Sequence, residues 1–318
     1  MPPGPAATLI GLGAQLSYFA WPAKRRWSNA NFGHVLGLPP DHPRVRRLAL
    51  AAYREYGRYI MEVMRLPRYT REDAVRLVPP EDLDGIEELR ARSKGGLIFS
   101  LGHVGSADAA AAGVGSRWRV NVVADDSAYP ELFDDFTKLR EQWGNHVIPW
   151  RNLREIYTVL RRRELLALLV DWGYREDGIP VRLFDAWTTL PAGPATLAAK
   201  TGSLIVPVLI RRDEEARFRI TWRDAIEVPS ASPADLVRAT QRIADELAEA
   251  IAAAPEQWYS FKPMWPDSAE ESAALERRAA AMLAEPADPD GASAGRRAKR
   301  RPLARPAETA AADTIEAP

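Results

Sequence analysis

Residues 95–114, GGLIFSLGHVGSADAAAAGV, read as a strand, a glycine-hinged turn and an alanine-rich helix. The strand GLIFSL ends at Leu101, and the helix is expected over Ser106–Val114. A short run of continuous apolar residues suits a strand covered on both faces. A strand that feeds a helix through a tight turn is the repeating unit of α/β folds. In open sheets of that kind, ligands bind beyond the carboxyl ends of the strands, and His103 falls there.

The same alternation extends to Arg223. Strands are expected at Gly96–Leu101, Arg119–Ala124, His146–Pro149, Leu165–Asp171, Val181–Phe184, Leu204–Arg211 and Phe218–Trp222. Helices are expected over Pro130–Trp143, Leu153–Arg163 and Gly193–Thr201. LLALLV and LIVPVLI repeat the buried-strand pattern. Before this core, RVRRLALAAYREYGRYIMEVMRL, Arg44–Leu66, places apolar residues at helical spacing until Pro67 stops it. A charged helix follows at Pro80–Ser93. After the core, Pro233–Ala253 is amphipathic, and QWYSFKPMWP, Gln257–Pro266, is an aromatic cluster. The expected fold class is α/β: a three-layer α/β/α sandwich with a central, mostly parallel sheet, N-terminal helices and a disordered C-terminal tail. One domain spans 1–285, with a helical or interfacial segment at 8–66 and the α/β core at 95–266. Residues 286–318 bury too little apolar surface to fold.

Bulk composition narrows the function. The chain has 318 residues, 46% hydrophobic and 27% charged, with 43 basic and 43 acidic side chains. That balance gives no global field for a nucleic acid. Cysteine is absent, which removes disulfides, thiolate–zinc sites and a thiol nucleophile, and suits a reducing compartment. No stretch reaches the ~20 apolar residues needed to span a bilayer. Thr8–Trp21, TLIGLGAQLSYFAW, precedes the basic run Lys24, Arg25, Arg26, the wrong order for a signal peptide. It suits a segment lying in the lipid interface, or a first core helix. The tail's basic patch, Arg296–Arg305, reads as a contact to anionic lipid or as a solubilising extension.

There are four histidines: His34, His42, His103 and His146. His103 precedes Asp108 by five positions, about 140° of rotation on an ideal helix, so the pair meets only if His103 sits in the turn. A carboxylate on one imidazole nitrogen fixes the tautomer and stabilises the imidazolium formed when the other nitrogen takes a proton. By itself the spacing reads first as a structural histidine at a turn.

The order of further motifs resembles the glycerolipid acyltransferase superfamily: GHVGSAD (102–108), GNHVIPWR (144–151), LPAGPATLA (190–198) and TGSLIVPVLI (201–210). Within it, KLREQWGNHVIP (138–149), the strand ending in Asp171, VRLFDAWTTLPAGPATLAAKTGSLIVPV (181–208) and PEQWYSFKPMWP (255–266) resemble the bacterial lipid A lauroyl/myristoyl acyltransferases, which include the phosphatidylinositol mannoside acyltransferases. The likeness covers about residues 10–266.

The resemblance implies an O-acyltransferase on the cytoplasmic face of the cell membrane, peripheral or interfacially anchored. It takes a fatty acyl group from acyl-CoA or acyl carrier protein, as donor substrate and without a cofactor or metal. The acceptor is a glycolipid hydroxyl, with a lysophospholipid acceptor or a non-catalytic lipid-binding relative as alternatives. His103 is the general base, oriented by Asp108. A second acidic residue against His103 is assigned to Glu176, with Asp177 and Asp171 as further candidates. Arg140 matches a basic residue that binds phosphate, or is a surface arginine. The loop LPAGPA, with Gly193 and Pro194 as substrate-binding residues, shapes the site, or caps the next helix and offers backbone N–H groups to a developing negative charge. Trp258, Tyr259, Phe261 and Trp265 pack the core, or line the acyl channel or sit at the membrane interface. A hydrolase with Ser106 as nucleophile lacks the G-x-S-x-G elbow.

Overall fold

The computed structural model describes residues 5–125, 130–213, 215 and 217–285. The strands are β1 (Leu97–Leu101), β2 (Val120–Ala124), β3 (His146–Pro149), β4 (Leu165–Leu169), β5 (Ile179–Leu183), β6 (Ala186–Leu190), β7 (Leu204–Arg212) and β8 (Phe218–Trp222). Three helices precede them, α1 (Pro5–Ala20), α2 (Pro22–Leu36) and α3 (Pro43–Arg65), then two short ones, α4 (Arg71–Leu77) and α5 (Ile86–Arg92). Within and after the core come α6 (Ala107–Gly115), α7 (Pro130–Gln142), α8 (Leu153–Arg161), α9 (Gly193–Thr201), α10 (Pro233–Ala253) and α11 (Ala269–Ala284).

Six strands form one sheet in the order β3-β2-β4-β1-β7-β8, parallel except for β8. The α/β class with its mostly parallel sheet is therefore as expected. Every residue of β1 is buried, because alternate side chains enter opposite cores. Leu97, Phe99 and Leu101 pack with Ala109 and Ala110 of α6. Ile98 packs on the other face with residues of α8, α9 and α10, among them Leu160, Ala195 and Ile243. These are the three layers.

The order of the strands decides where a site forms. β1 leads through α6 to β2 on one side of the sheet, whereas β4 leads towards β7 on the other side. β1 and β4 are hydrogen-bonded neighbours with Leu101 opposite Leu169. Their outgoing connections diverge there, which opens a crevice at their carboxyl ends.

Two expectations change. The strand expected at Val181–Phe184 is one arm of a separate antiparallel hairpin, β5–β6, with Leu183 opposite Ala186. Its turn passes through Phe184 at a φ of 52°, without the glycine or Asn-Gly pair that usually announces such a turn. The charged helix expected at Pro80–Ser93 is a 3₁₀ turn at Pro80–Leu83 followed by α5, because Gly85 interrupts it at a φ of 87°. The tail at 286–318 lies outside the described residues.

Helix α1 packs on α3 and turns Leu9, Leu12, Leu16 and Phe19 outward, with Leu9 and Leu16 each 68% exposed. Among the described residues, no helix is long and apolar enough to cross a membrane. Helix α3 is anchored to β7 by a buried ion cluster in which Arg212 donates to Glu55 (2.6 Å) and to both oxygens of Glu62 (2.6 and 2.8 Å). Two anions around one guanidinium need that pairing to offset desolvation.

Candidate active site

Helix α6 lies across the β1 face with alanines where larger residues would fill the space. Between it and the sheet runs a cavity of about 310 Å³. Ala110, Ala111 and Val114 form its roof, while Leu101, Val122 and Ala167 contribute to its sheet wall and Phe99 and Trp222 meet at 5.1 Å along it. His103, Asp108, Arg140, Tyr56, Tyr59, Tyr259 and Phe261 supply the remaining wall, which is the polar and aromatic part. The result is an apolar slot with ionisable groups confined to one region.

His103 sits in the turn after β1. The turn is possible because Gly105 takes a φ of +68°, where a Cβ would also meet the Ile210 carbonyl oxygen at 2.8 Å. The aromatic segment after α10 clamps this turn. Gly105 N–H donates to the Gln257 carbonyl (3.0 Å) and Tyr259 N–H to the His103 carbonyl (2.9 Å).

His103 Nδ1 lies 2.6 Å from Asp171 Oδ1. The other carboxylate oxygen accepts from His103 backbone N–H (2.8 Å) and from Trp258 Nε1–H (2.9 Å). Asp171 follows β4 as His103 follows β1, so the pairing of the two strands places these side chains side by side. The Asp171 side chain is 0% exposed and that of His103 is 40% exposed, so the acid is sealed and the base accessible. Burial acts to lower the His103 pKa, but the charge and hydrogen bond of Asp171 outweigh it and the value lies above the ordinary 6.5. Burial acts to raise Asp171, and the imidazole with the N–H donors holds it below the usual carboxylate value. With Nδ1 engaged, Nε2 is the nitrogen left to take a proton.

Asp108 does not orient His103. Its Oδ1 accepts from Arg140 Nε (2.8 Å) and its Oδ2 from Tyr59 Oη–H (2.9 Å). In the first turn of α6, Asp108 points towards α7 and α3 rather than back to the turn, and it reaches His103 only as a minor charge. Burial raises and Arg140 lowers the Asp108 pKa, with a net downward shift. Tyr59 is driven well above the phenol value by burial and by the Asp108 charge. Arg140 is no surface arginine: its side chain is 19% exposed and lines the cavity.

Three further assignments change. Glu176 is exposed and its carbonyl accepts from Arg278, while the imidazole is hydrogen-bonded to Asp171 instead. Asp177 pairs with Arg175 at 2.9 Å. The acid that lies against the imidazole is Asp171, which the sequence ranks after Glu176 and Asp177, in a segment where Trp172 and Gly173 depart from the Asp-x-Asp pattern. Gly193 and Pro194 open α9, with Gly193 exposed and Pro194 buried, and neither lines the cavity. Ser106 Oγ caps α6 by accepting from Ala109 N–H, so the hydroxyl proposed as a nucleophile serves the helix end.

The other histidines have structural duties. His34 stacks on Trp265 at 4.2 Å, His42 caps α3, and His146 Nε2 lies 2.6 Å from Glu155. The aromatic cluster divides its work. Trp258 and Trp265 are core residues, whereas Tyr259 and Phe261 line the cavity. Tyr59 escaped the sequence reading as a site residue, since a tyrosine on the face of a long helix carries no local signal of what it meets.

An accessible imidazole held by a sealed carboxylate, beside an apolar slot, suits proton abstraction from a hydroxyl near an aliphatic chain. The model of the bacterial lipid A biosynthesis acyltransferase family matches residues 5–266. The chain belongs to this family. Relatives of this acyltransferase include the phosphatidylinositol mannoside acyltransferase of Mycobacterium tuberculosis, 28% identical over 259 residues that cover 78% of this chain and 79% of that protein. The protein of the same name from Mycolicibacterium smegmatis is 29% identical over 274 residues, 83% of this chain and 86% of that one.

Proposed function

We propose that this acyltransferase moves a fatty acyl group from a thioester donor, acyl-CoA or acyl carrier protein, to a hydroxyl of a phosphatidylinositol mannoside or lipid-A-like glycolipid. The observation that carries this is the His103–Asp171 pair, set beside an apolar slot. His103 Nε2 removes the proton as the acceptor oxygen attacks the thioester carbonyl. Asp171 stabilises the imidazolium that results. Collapse of the tetrahedral intermediate breaks the C–S bond, and the imidazolium returns the proton to the leaving thiolate. The products are the ester and the free thiol; no acyl-enzyme and no cofactor enters. The alanine-roofed cavity takes the acyl chain, with burial of about 0.8 kcal/mol per methylene favouring it.

The reaction takes place on the cytoplasmic face of the membrane, with α1 as the peripheral contact. Its outward apolar residues are followed by Lys24, Arg25 and Arg26, and α1 rests on α3, which carries Tyr56 and Tyr59 into the cavity wall. Partners are thus the lipid surface, the donor and the glycolipid, with no nucleic acid.

The test is incubation of the full chain with labelled acyl-CoA or acyl carrier protein and vesicles containing phosphatidylinositol mannoside. Label is expected in a glycolipid ester; label in lysophospholipid products alone shifts the acceptor, and label in no lipid sinks the reading. Vesicle binding is expected to weaken with salt, as the basic run predicts.

A further inference from the structure

Immediately after the buried Asp171 the chain exposes a tryptophan. Trp172 is 38% exposed although indole burial is strongly favoured in water. Its position is fixed by its backbone. Gly173 takes a φ of +101°, a conformation that side chains resist, and Tyr174 N–H donates to the Pro263 carbonyl at 2.8 Å.

The facing segment is fixed as firmly. Asn31, 1% exposed, donates to the carbonyls of Ser260 (3.1 Å) and Lys262 (2.8 Å) and accepts from Met264 N–H (3.2 Å). Between these anchors Lys262 is exposed, with its Nζ 4.3 Å from the centroid of the Trp172 ring. Among the described residues the Trp172 indole N–H donates to no protein group.

Neither residue lines the apolar cavity. Trp172 directly follows Asp171, which holds the imidazole, so the pair lies beside the dyad and outside the apolar slot. The Lys262 charge is felt at His103, where it opposes protonation. An indole face attracts the C–H groups of a pyranose through its quadrupole, its N–H donates to a hydroxyl, and a lysine ammonium donates to phosphate oxygens.

We propose that Trp172 and Lys262 form the acceptor subsite and take an anionic glycolipid headgroup, its sugar ring against the indole and its phosphate on the ammonium. This rests on the glycolipid reading above and assigns the part of the acceptor that is recognised.

Kinetics and binding test it on the full chain. With phosphatidylinositol mannoside as acceptor, Trp172→Ala is expected to raise the acceptor KM about three- to tenfold with the donor KM unchanged, and Trp172→Phe to recover most of it. Lys262→Gln is expected to raise the same KM. Independently of turnover, the parent is expected to bind vesicles of phosphatidylinositol mannoside more tightly than vesicles of phosphatidylinositol, a preference that Trp172→Ala abolishes. An unchanged acceptor KM and preference in Trp172→Ala overturns the subsite. Equal loss of binding to both vesicles also overturns it, since Trp172 is then a lipid anchor. Acylation of no glycolipid by the parent refutes the proposed function, a result separate from the binding preference.

Discussion

Two carboxylates border the same imidazole and lead different lives. Asp171 spends its oxygens on the His103 ring and on two N–H donors, whereas Asp108 spends its own on Arg140 and Tyr59. Asp108 is five residues from His103 and Asp171 is 68 away, yet the distant one is the hydrogen-bonded partner. Separation along the chain says little about contact at the carboxyl edge of a parallel sheet. There, neighbours are set by strand order, and β1 lies beside β4. One carboxylate holds the imidazole and the other ties α6 to α7 and α3.

The comparison breaks most readily at the imidazole. His103→Ala is expected to lower transfer about 10²–10⁴-fold in a labelled-donor assay while the protein still folds. A near-parental rate would remove the dyad from the reaction.

Asp171→Asn keeps the shape and removes the charge, and a loss of about 10²-fold or more is expected. Its pH profile is the sharper measurement. In the parent, kcat/KM is expected to rise as His103 deprotonates, with a midpoint above the ordinary 6.5 because Asp171 favours the imidazolium. In the variant burial still acts and the carboxylate does not, so the midpoint moves to lower pH. A midpoint that stays put assigns the titration to another group. With Asp171 ionised, the stability linked to the raised His103 pKa is fully present below 6.5 and lost as pH rises through the folded value, and the lowered Asp171 pKa makes the pair's contribution fall away again in acid.

Arg140→Met leaves Asp108 charged and largely buried. A stability loss of about 3 kcal/mol is expected in urea unfolding, because an uncompensated buried charge is costly. The midpoint of the rate profile is expected to move little, in contrast to Asp171→Asn. A large midpoint shift with unchanged stability would reverse the roles of the two acids. Glu176→Ala is expected to change stability by less than about 0.5 kcal/mol and the rate by less than about twofold, as for any exposed substitution.

The strand–turn–helix at 95–114 was legible because each part has a local cause: a doubly buried strand, a glycine at positive φ and a serine-capped helix. His103 was legible for the same reason, being placed by that turn. The hairpin arm β6 was hidden because the turn at Phe184 carries no local signature. The contact between Tyr59 and Asp108 was hidden because it depends on how α3 docks, which the buried Arg212, Glu55 and Glu62 cluster settles.

Local chain chemistry therefore determined the α/β class, the strand that delivers His103 and the alanine stripe that leaves room for a slot. Only the tertiary structure decided which acid holds the imidazole and which holds the helices. The physical reason is that turn and helix geometry act over a few residues, whereas the neighbour of a parallel strand is chosen by packing across the whole sheet.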